Sequence, residues 1–195
     1  NTSCRVAIQT LGGIRDLHEI YYLHRDIKPA NFAVGLKDDE KDSIVYILDF
    51  GMARFFRHKN RQIVPRRDHV RFRGTARYAS IASLNDMDSC RKDDIESWFY
   101  MVLEFFAGFA VPWNKCKSKK EFFAIKRSFR NKYHEYLQDC TVSKDLLKIM
   151  RYIDNMNFYS IPDYNGIRDI LIGIIDRMGF RDTEPLDWSP RRHYQ

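Results

Sequence analysis

The sequence predicts an α+β domain, mainly α-helical with one small β-hairpin, on three observations. Five long segments read as helices, and two short apolar runs rich in β-branched residues are separated by a polar turn. The third is size: 195 residues with 44% hydrophobic and 14% aromatic content can bury one sizeable core. A single compact unit without internal repeats is expected.

Residues 3–23 form the first helix, since Val6, Leu11, Ile14, Leu17 and Tyr21 recur at helical spacing and Asn1, Thr2 or Ser3 can cap it. Gly12 and Gly13 weaken it locally. Residues 32–36 and 44–48 suit a hairpin whose turn is the charged stretch 37–42. Residues 53–73 lack periodicity, are dense in charge and contain Pro65, so they are expected as a long loop. Residues 93–109 are apolar nearly all round, which marks a helix at the centre of a core. As a membrane span, residues 97–113 are marginal in length, with Glu104 near the middle and Pro112 at the far end. Residues 118–137, 143–156 and 162–180 complete the helices, with Phe122, Phe123, Ile125 and Phe129 read as core. Beyond residue 180 periodicity is lost, and Arg191, Arg192 and His193 make a short basic tail.

The chain is organised around His24-Arg25-Asp26-Ile27-Lys28-Pro29-Ala30-Asn31, followed by the predicted hairpin and Asp49-Phe50-Gly51. Phosphoryl transfer needs a carboxylate to orient the attacking hydroxyl, oxygen ligands for magnesium and a cation against phosphate oxygens. Asp26, Asn31 with Asp49, and Lys28 are the residue types for those three roles. Each piece alone is a weak signal. Their conjunction at this spacing is a strong one.

Tyr22-Leu23-His24-Arg25-Asp26-Ile27-Lys28-Pro29, Asn31-Phe32, Gly74-Thr75-Ala76-Arg77-Tyr78-Ala79-Ser80-Ile81 and Arg91-Lys92-Asp93-Asp94-Ile95-Glu96-Ser97 together resemble the casein kinase 1 superfamily. Ala30 and Phe72-Arg73-Gly74-Thr75 lean toward its tau-tubulin-kinase-like branch. The likeness runs from about Thr2 to Trp188 and corresponds to the C-terminal lobe of the protein-kinase-like fold, with the hairpin as the floor beneath the nucleotide. The resemblance implies a serine/threonine protein kinase using ATP and Mg2+. It implies catalytic roles for Asp26, Lys28, Asn31 and Thr75, and nucleotide contacts from Lys28, Asn31, Ala33, Leu48 and Asp49. Asn31 and Asp49 would hold the metal, Arg77 and Lys132 would bind an acidic or phosphorylated substrate, and Asp94 would brace the catalytic loop from below. Ala33 and Leu48 read equally well as ordinary core residues. Ala82 departs from the family's usual Asn, and the glycine-rich loop, strand lysine and helix glutamate of the nucleotide lobe do not occur in this sequence. With no initial Met and no signal-peptide pattern, the chain reads as a fragment.

The net charge of +7 is concentrated in two segments. Residues 52–78 hold nine Lys/Arg against Asp68, and residues 115–132 hold eight against Glu121, leaving the rest of the chain net acidic. Residues 52–73 contain no Ser, Thr or Tyr, so a phosphate-ordered switch is unavailable there. Arg25, which pairs with such a phosphate in many kinases, must find another anion or stay solvated. Four scattered cysteines suggest neither a disulfide framework nor a zinc site and fit an intracellular, cytoplasmic setting, with the nucleus as the alternative. The six histidines give no metal constellation, and His24 reads as a packing residue rather than a base. Expected partners are protein substrates, acidic or phosphorylated, without a membrane; oligomeric state is open. Two other readings stand beside the kinase: a catalytically incompetent binding module, and a nucleic-acid binder that lacks a recognition motif.

Overall fold

Helix α1 (Thr2–Glu19) buries Ala7, Leu11, Ile14 and Leu17 along one face in the computed structural model, which describes residues 1–36, 41–58, 62–107, 111–137, 140–181 and 184–188. It ends at Glu19 rather than at residue 23. Tyr21 takes a φ of 66° and redirects the chain into strand β1 (Tyr22–Leu23). The hairpin lies close against α1 at Gly13, where a Cβ would stand at ordinary contact distance, 3.4 Å, from the Ile47 side chain.

Strands β2 (Phe32–Val34) and β3 (Val45–Ile47) form the expected antiparallel hairpin, in the register Phe32↔Ile47, Ala33↔Tyr46 and Val34↔Val45. Alternation sends Phe32 and Ile47 against the core and puts Ala33 with Tyr46 on the opposite face. Residues 37–40 of the predicted turn lie outside the described residues. Strand β4 (Arg54–Phe55) pairs antiparallel with β1, and Arg57 bridges to Ile63. The expectation of a loop throughout 53–73 is therefore corrected. A two-residue strand is too short to show a period, so its pairing was illegible from spacing.

Short helix α2 (Ile81–Leu84) starts at Ser80, whose hydroxyl accepts from Ser83 N–H at 3.0 Å. Helix α3 (Arg91–Ala107) runs through the core, with Ile95 and Trp98 to Leu103 buried without a break. Its all-round apolar sequence thus reflects burial on every side. Trp98 Nε1 donates to Thr10 Oγ1 at 3.0 Å and to Ala7 O at 3.2 Å, fixing α3 against α1. Helix α4 (Lys119–Tyr136) is capped by Ser118 and breaks its helical geometry at Lys132, with φ −118° and ψ 20°. Helices α5 (Ser143–Asp154) and α6 (Tyr164–Arg177) close the core, the second capped by Asp163, which accepts from Gly166 N–H at 2.9 Å. Residues 108–110 and the basic tail lie outside the described residues. Among the described residues, no helix is long and apolar enough to cross a membrane.

Candidate active site

The loop after β1 is held from below by one carboxylate. Asp94, near the start of α3, accepts from His24 N–H at 2.7 Å, from Arg25 N–H at 2.8 Å and from His18 Nε2 at 2.9 Å. His18 Nδ1 in turn lies 2.7 Å from the Tyr164 hydroxyl, so the network reaches α6. Burial raises the Asp94 carboxyl, but His18 and the Arg25 amide outweigh it, leaving the group below its ordinary range. Fixing those two amides holds Arg25 at a φ of 67°, a turn that presents Asp26.

Asp26 is buried and faces three donors. Thr75 N–H donates to its Oδ1 at 2.8 Å, and Lys28 Nζ to its Oδ2 at 2.6 Å. Lys28 Nζ also reaches Thr75 Oγ1 at 3.2 Å. Burial raises the carboxyl, and the bonds from Lys28 and Thr75 then bring it below its usual value, so it is ionised at neutral pH. Asn31 donates through Nδ2 to Asp26 O at 2.8 Å. Asp26, Lys28, Asn31 and Thr75 are thus brought into one cluster.

His24 joins this loop to the next motif. Its Nε2 donates to Leu48 O at 2.9 Å and its Nδ1 accepts from Asp26 N–H at 3.3 Å, which sets the Nε2–H tautomer. Leu48 N–H donates to Asn31 O at 2.8 Å. Asp49 follows with a φ of 61°, one carboxylate oxygen accepting from Gly51 N–H at 3.2 Å. Asn31 Oδ1 and Asp49 Oδ2 have no protein partner among the described residues, and both are hard oxygen donors of the kind magnesium takes, so the residues fit that ion. No cluster of three or more His, Cys, Asp or Glu side chains suited to a metal occurs among the described residues. Ala33 and Leu48 are not core: Ala33 is half-buried and Leu48 is exposed beside Asp49, and Tyr46 and Phe50 are exposed as well.

Three arginines of the basic segment meet carboxylates within the chain, Arg54 and Arg67 at Asp88 and Arg77 at Glu104. Asp88, itself buried, takes Arg54 at 2.6 Å and Arg67 through both carboxylate oxygens at 2.9 and 3.2 Å. Lys119 pairs with Asp86. Arg25 donates to Met52 O at 2.7 Å and, with Arg71 and Arg73, lines a small cavity of about 20 Å³. Burial and the nearby Arg54, Arg67 and Arg73 all lower its guanidinium.

Arg77 and Lys132, expected to bind one anion, are each engaged by a carboxylate. Arg77 Nε lies 2.9 Å from Glu104 Oε1, its other edge donates to Asn114 Oδ1 at 2.9 Å, and Tyr78 Oη donates to Glu104 Oε2 at 3.0 Å. Lys132 is exposed and 3.6 Å from Glu135. Ala82, noted as a departure, sits in α2, and anchoring there is carried by its neighbours. Ser80 Oγ donates to Asp93 Oδ1 at 2.6 Å and Ile81 N–H to Glu96 Oε1 at 2.8 Å. The sequence reading missed Lys126, which is fully buried beneath the Ala76–Ala79 segment. Its signal was available: 122, 126, 129 and 133 form a single helical stripe on which Lys126 replaces an apolar residue.

Comparison with known proteins places the chain in a family. Residues 2–160 match the protein kinase domain family model. The chain is 33% identical over 188 residues to a probable serine/threonine-protein kinase of Dictyostelium discoideum, covering 96% of this chain and 37% of that protein. It is 33% identical over 199 residues to the serine/threonine-protein kinase spe-6 of Caenorhabditis elegans, covering 100% and 51%. Casein kinase I homolog 1 of Schizosaccharomyces pombe is 29% identical over 191 residues, covering 96% and 43%. The chain therefore spans about half or less of the length of these relatives. With a family match over most of its length, the chain belongs to the protein kinase domain family.

Proposed function

We propose that residues 1–195 form the C-terminal, catalytic-loop lobe of a serine/threonine protein kinase of the casein kinase 1 superfamily, on its tau-tubulin-kinase-like branch. The lobe works with a nucleotide-binding lobe to transfer the γ-phosphate of ATP to protein Ser or Thr. The observation that carries this reading is the Asp26 cluster: a buried, ionised carboxylate held by Thr75 N–H and Lys28 Nζ. Such a carboxylate orients an acceptor hydroxyl and takes its proton as the oxygen attacks phosphorus. Lys28 stabilises negative charge on the transferring group, and Thr75 keeps Lys28 and Asp26 in register. Magnesium, held by Asn31 and Asp49, would neutralise charge on the nucleotide phosphates.

The exposed apolar face of the hairpin supports the two-lobe arrangement. Tyr46, Leu48 and Phe50 are 40%, 43% and 50% exposed around Asp49, where the underside of an adenine and phosphate pocket is required. A preference for acidic or pre-phosphorylated substrates follows from the arginines of residues 52–78. Arg25, Arg71 and Arg73 share a cavity, and Arg77 can exchange Glu104 for a substrate anion. Incubating the full-length protein with Mg-ATP and matched Ser, Thr and Tyr peptides tests the reading. Phosphate should enter the Ser and Thr peptides; transfer to none of the three, or to the Tyr peptide alone, contradicts it.

A further inference from the structure

Lys126, on α4, is wholly buried, yet among the described residues no carboxylate accepts a hydrogen bond from it. Its ammonium donates to Ala79 O at 2.7 Å and to Ala76 O at 3.3 Å. Three aromatic rings surround it, with Nζ 4.1 Å from the Tyr100 centroid, 5.3 Å from Trp113 and 6.0 Å from Phe122. Burial lowers this amine well below its ordinary value, and Glu96 opposes that shift. An apolar side chain would fill the same place on the stripe at lower desolvation cost. The lysine is therefore explained by what it holds.

The two carbonyls bracket Arg77 and Tyr78, whose side chains clasp Glu104. Tyr78 N–H and Ala79 N–H return to Thr75 O at 3.0 and 3.1 Å, and Thr75 N–H donates to Asp26. A continuous set of hydrogen bonds thus runs from Lys126 to the carboxylate of the catalytic loop. We propose that Lys126 is a positioning residue: it clamps the backbone of the Ala76–Ala79 segment and thereby sets how an acceptor peptide lies against Asp26. It does so without touching the nucleotide. The proposal deepens the kinase reading and rests on it for its effect on substrate.

The test uses the full-length protein with Lys126→Met, which keeps length and loses the donors, and Lys126→Arg, which keeps charge and donors. Amide hydrogen exchange is followed at Thr75, Tyr78 and Ala79, with α6 amides as the reference, alongside separate peptide and ATP kinetics. In Lys126→Met the three amides should exchange roughly tenfold faster with α6 unchanged, and kcat/KM for the peptide should fall about tenfold at an unchanged KM for ATP. Lys126→Arg should recover part of both. If Lys126→Met does not fold, Lys126→Leu, which also lacks a donor, is read the same way. Unchanged exchange at the three amides overturns the clamp whatever the activity. Peptide and ATP constants that worsen together, in step with a lower thermal midpoint, also overturn it, as a merely structural role. A wild-type protein that transfers no phosphate while its variants show the local exchange change overturns the kinase reading and leaves the clamp standing.

Discussion

Thr75 N–H donates to Asp26 Oδ1 at 2.8 Å, joining residues 49 positions apart in the chain. Gly74 makes this approach geometrically accessible. It has a φ of 109°, and a Cβ there would stand 2.9 Å from Arg25 O and 3.3 Å from Asp26 Oδ1.

Gly74→Ala is predicted to push Thr75 away from Asp26. Backbone strain and the contact with Arg25 O should lower stability by about 1–3 kcal/mol. Urea unfolding checks the size, and a variant as stable as the wild type would show that the approach is not tight.

Asp94 is predicted to be among the most sensitive positions for stability. Asp94→Ala leaves two buried backbone donors and His18 without their acceptor, a loss on the order of 3–5 kcal/mol. Tyr164→Phe removes only the outer end of the network and should cost about 1 kcal/mol. Thermal unfolding of both variants should rank them in that order; equal midpoints would contradict the brace.

Asp93 supplies a pH prediction. Burial, with Glu96 adding to it, raises its carboxyl from 3.8 to about 6. The folded chain therefore binds a proton that the unfolded chain has lost between those values, so this group's contribution to stability declines as pH rises from about 4 to about 6. Asp93→Asn should flatten that part of the stability profile. Asp26, Asp88 and Asp94, all lowered, act oppositely: their contributions are present above the ordinary carboxylate range and are lost as pH falls below it. An unchanged slope in Asp93→Asn between pH 4 and 6 would exclude Asp93 as its source.

The Arg77–Glu104 pair predicts how substrate charge is read. In the full-length protein, Glu104→Gln should free Arg77 and increase the preference for a peptide carrying an upstream phosphoserine several-fold. Arg77→Ala and Lys132→Ala should reduce it, and added salt should shrink it. Equal catalytic efficiency on matched peptides in all four proteins would end the idea.

Legibility in the sequence followed chain separation. Asp26, Lys28 and Asn31 lie within six residues, so their cluster was readable as a motif, and the β2–β3 hairpin was readable because its strands flank a charged turn. The β1–β4 pairing, the hold of Asp88 on Arg54 and Arg67, and the Glu104 contact to Arg77 join segments that pattern alone does not connect. The arginines of residues 52–78 consequently looked short of counter-charge, although Asp88 and Glu104 engage three of them. Lys126 was missed for a different reason: a lysine in a basic stretch reads as solvated unless its place on the 122, 126, 129 and 133 stripe is weighed.

The most direct measurement of the central claim is Asp26→Asn in the full-length protein. Because Asp26 is buried and accepts from Thr75 and Lys28, the exchange should cost about 1–3 kcal/mol of stability, so transfer is compared well below the variant's thermal midpoint. Loss of the proton-accepting carboxylate should lower phosphate transfer to a Ser or Thr peptide by on the order of a hundredfold or more while the fold persists. Wild-type turnover in the folded variant would contradict the assignment of Asp26 and, with it, the account of this site.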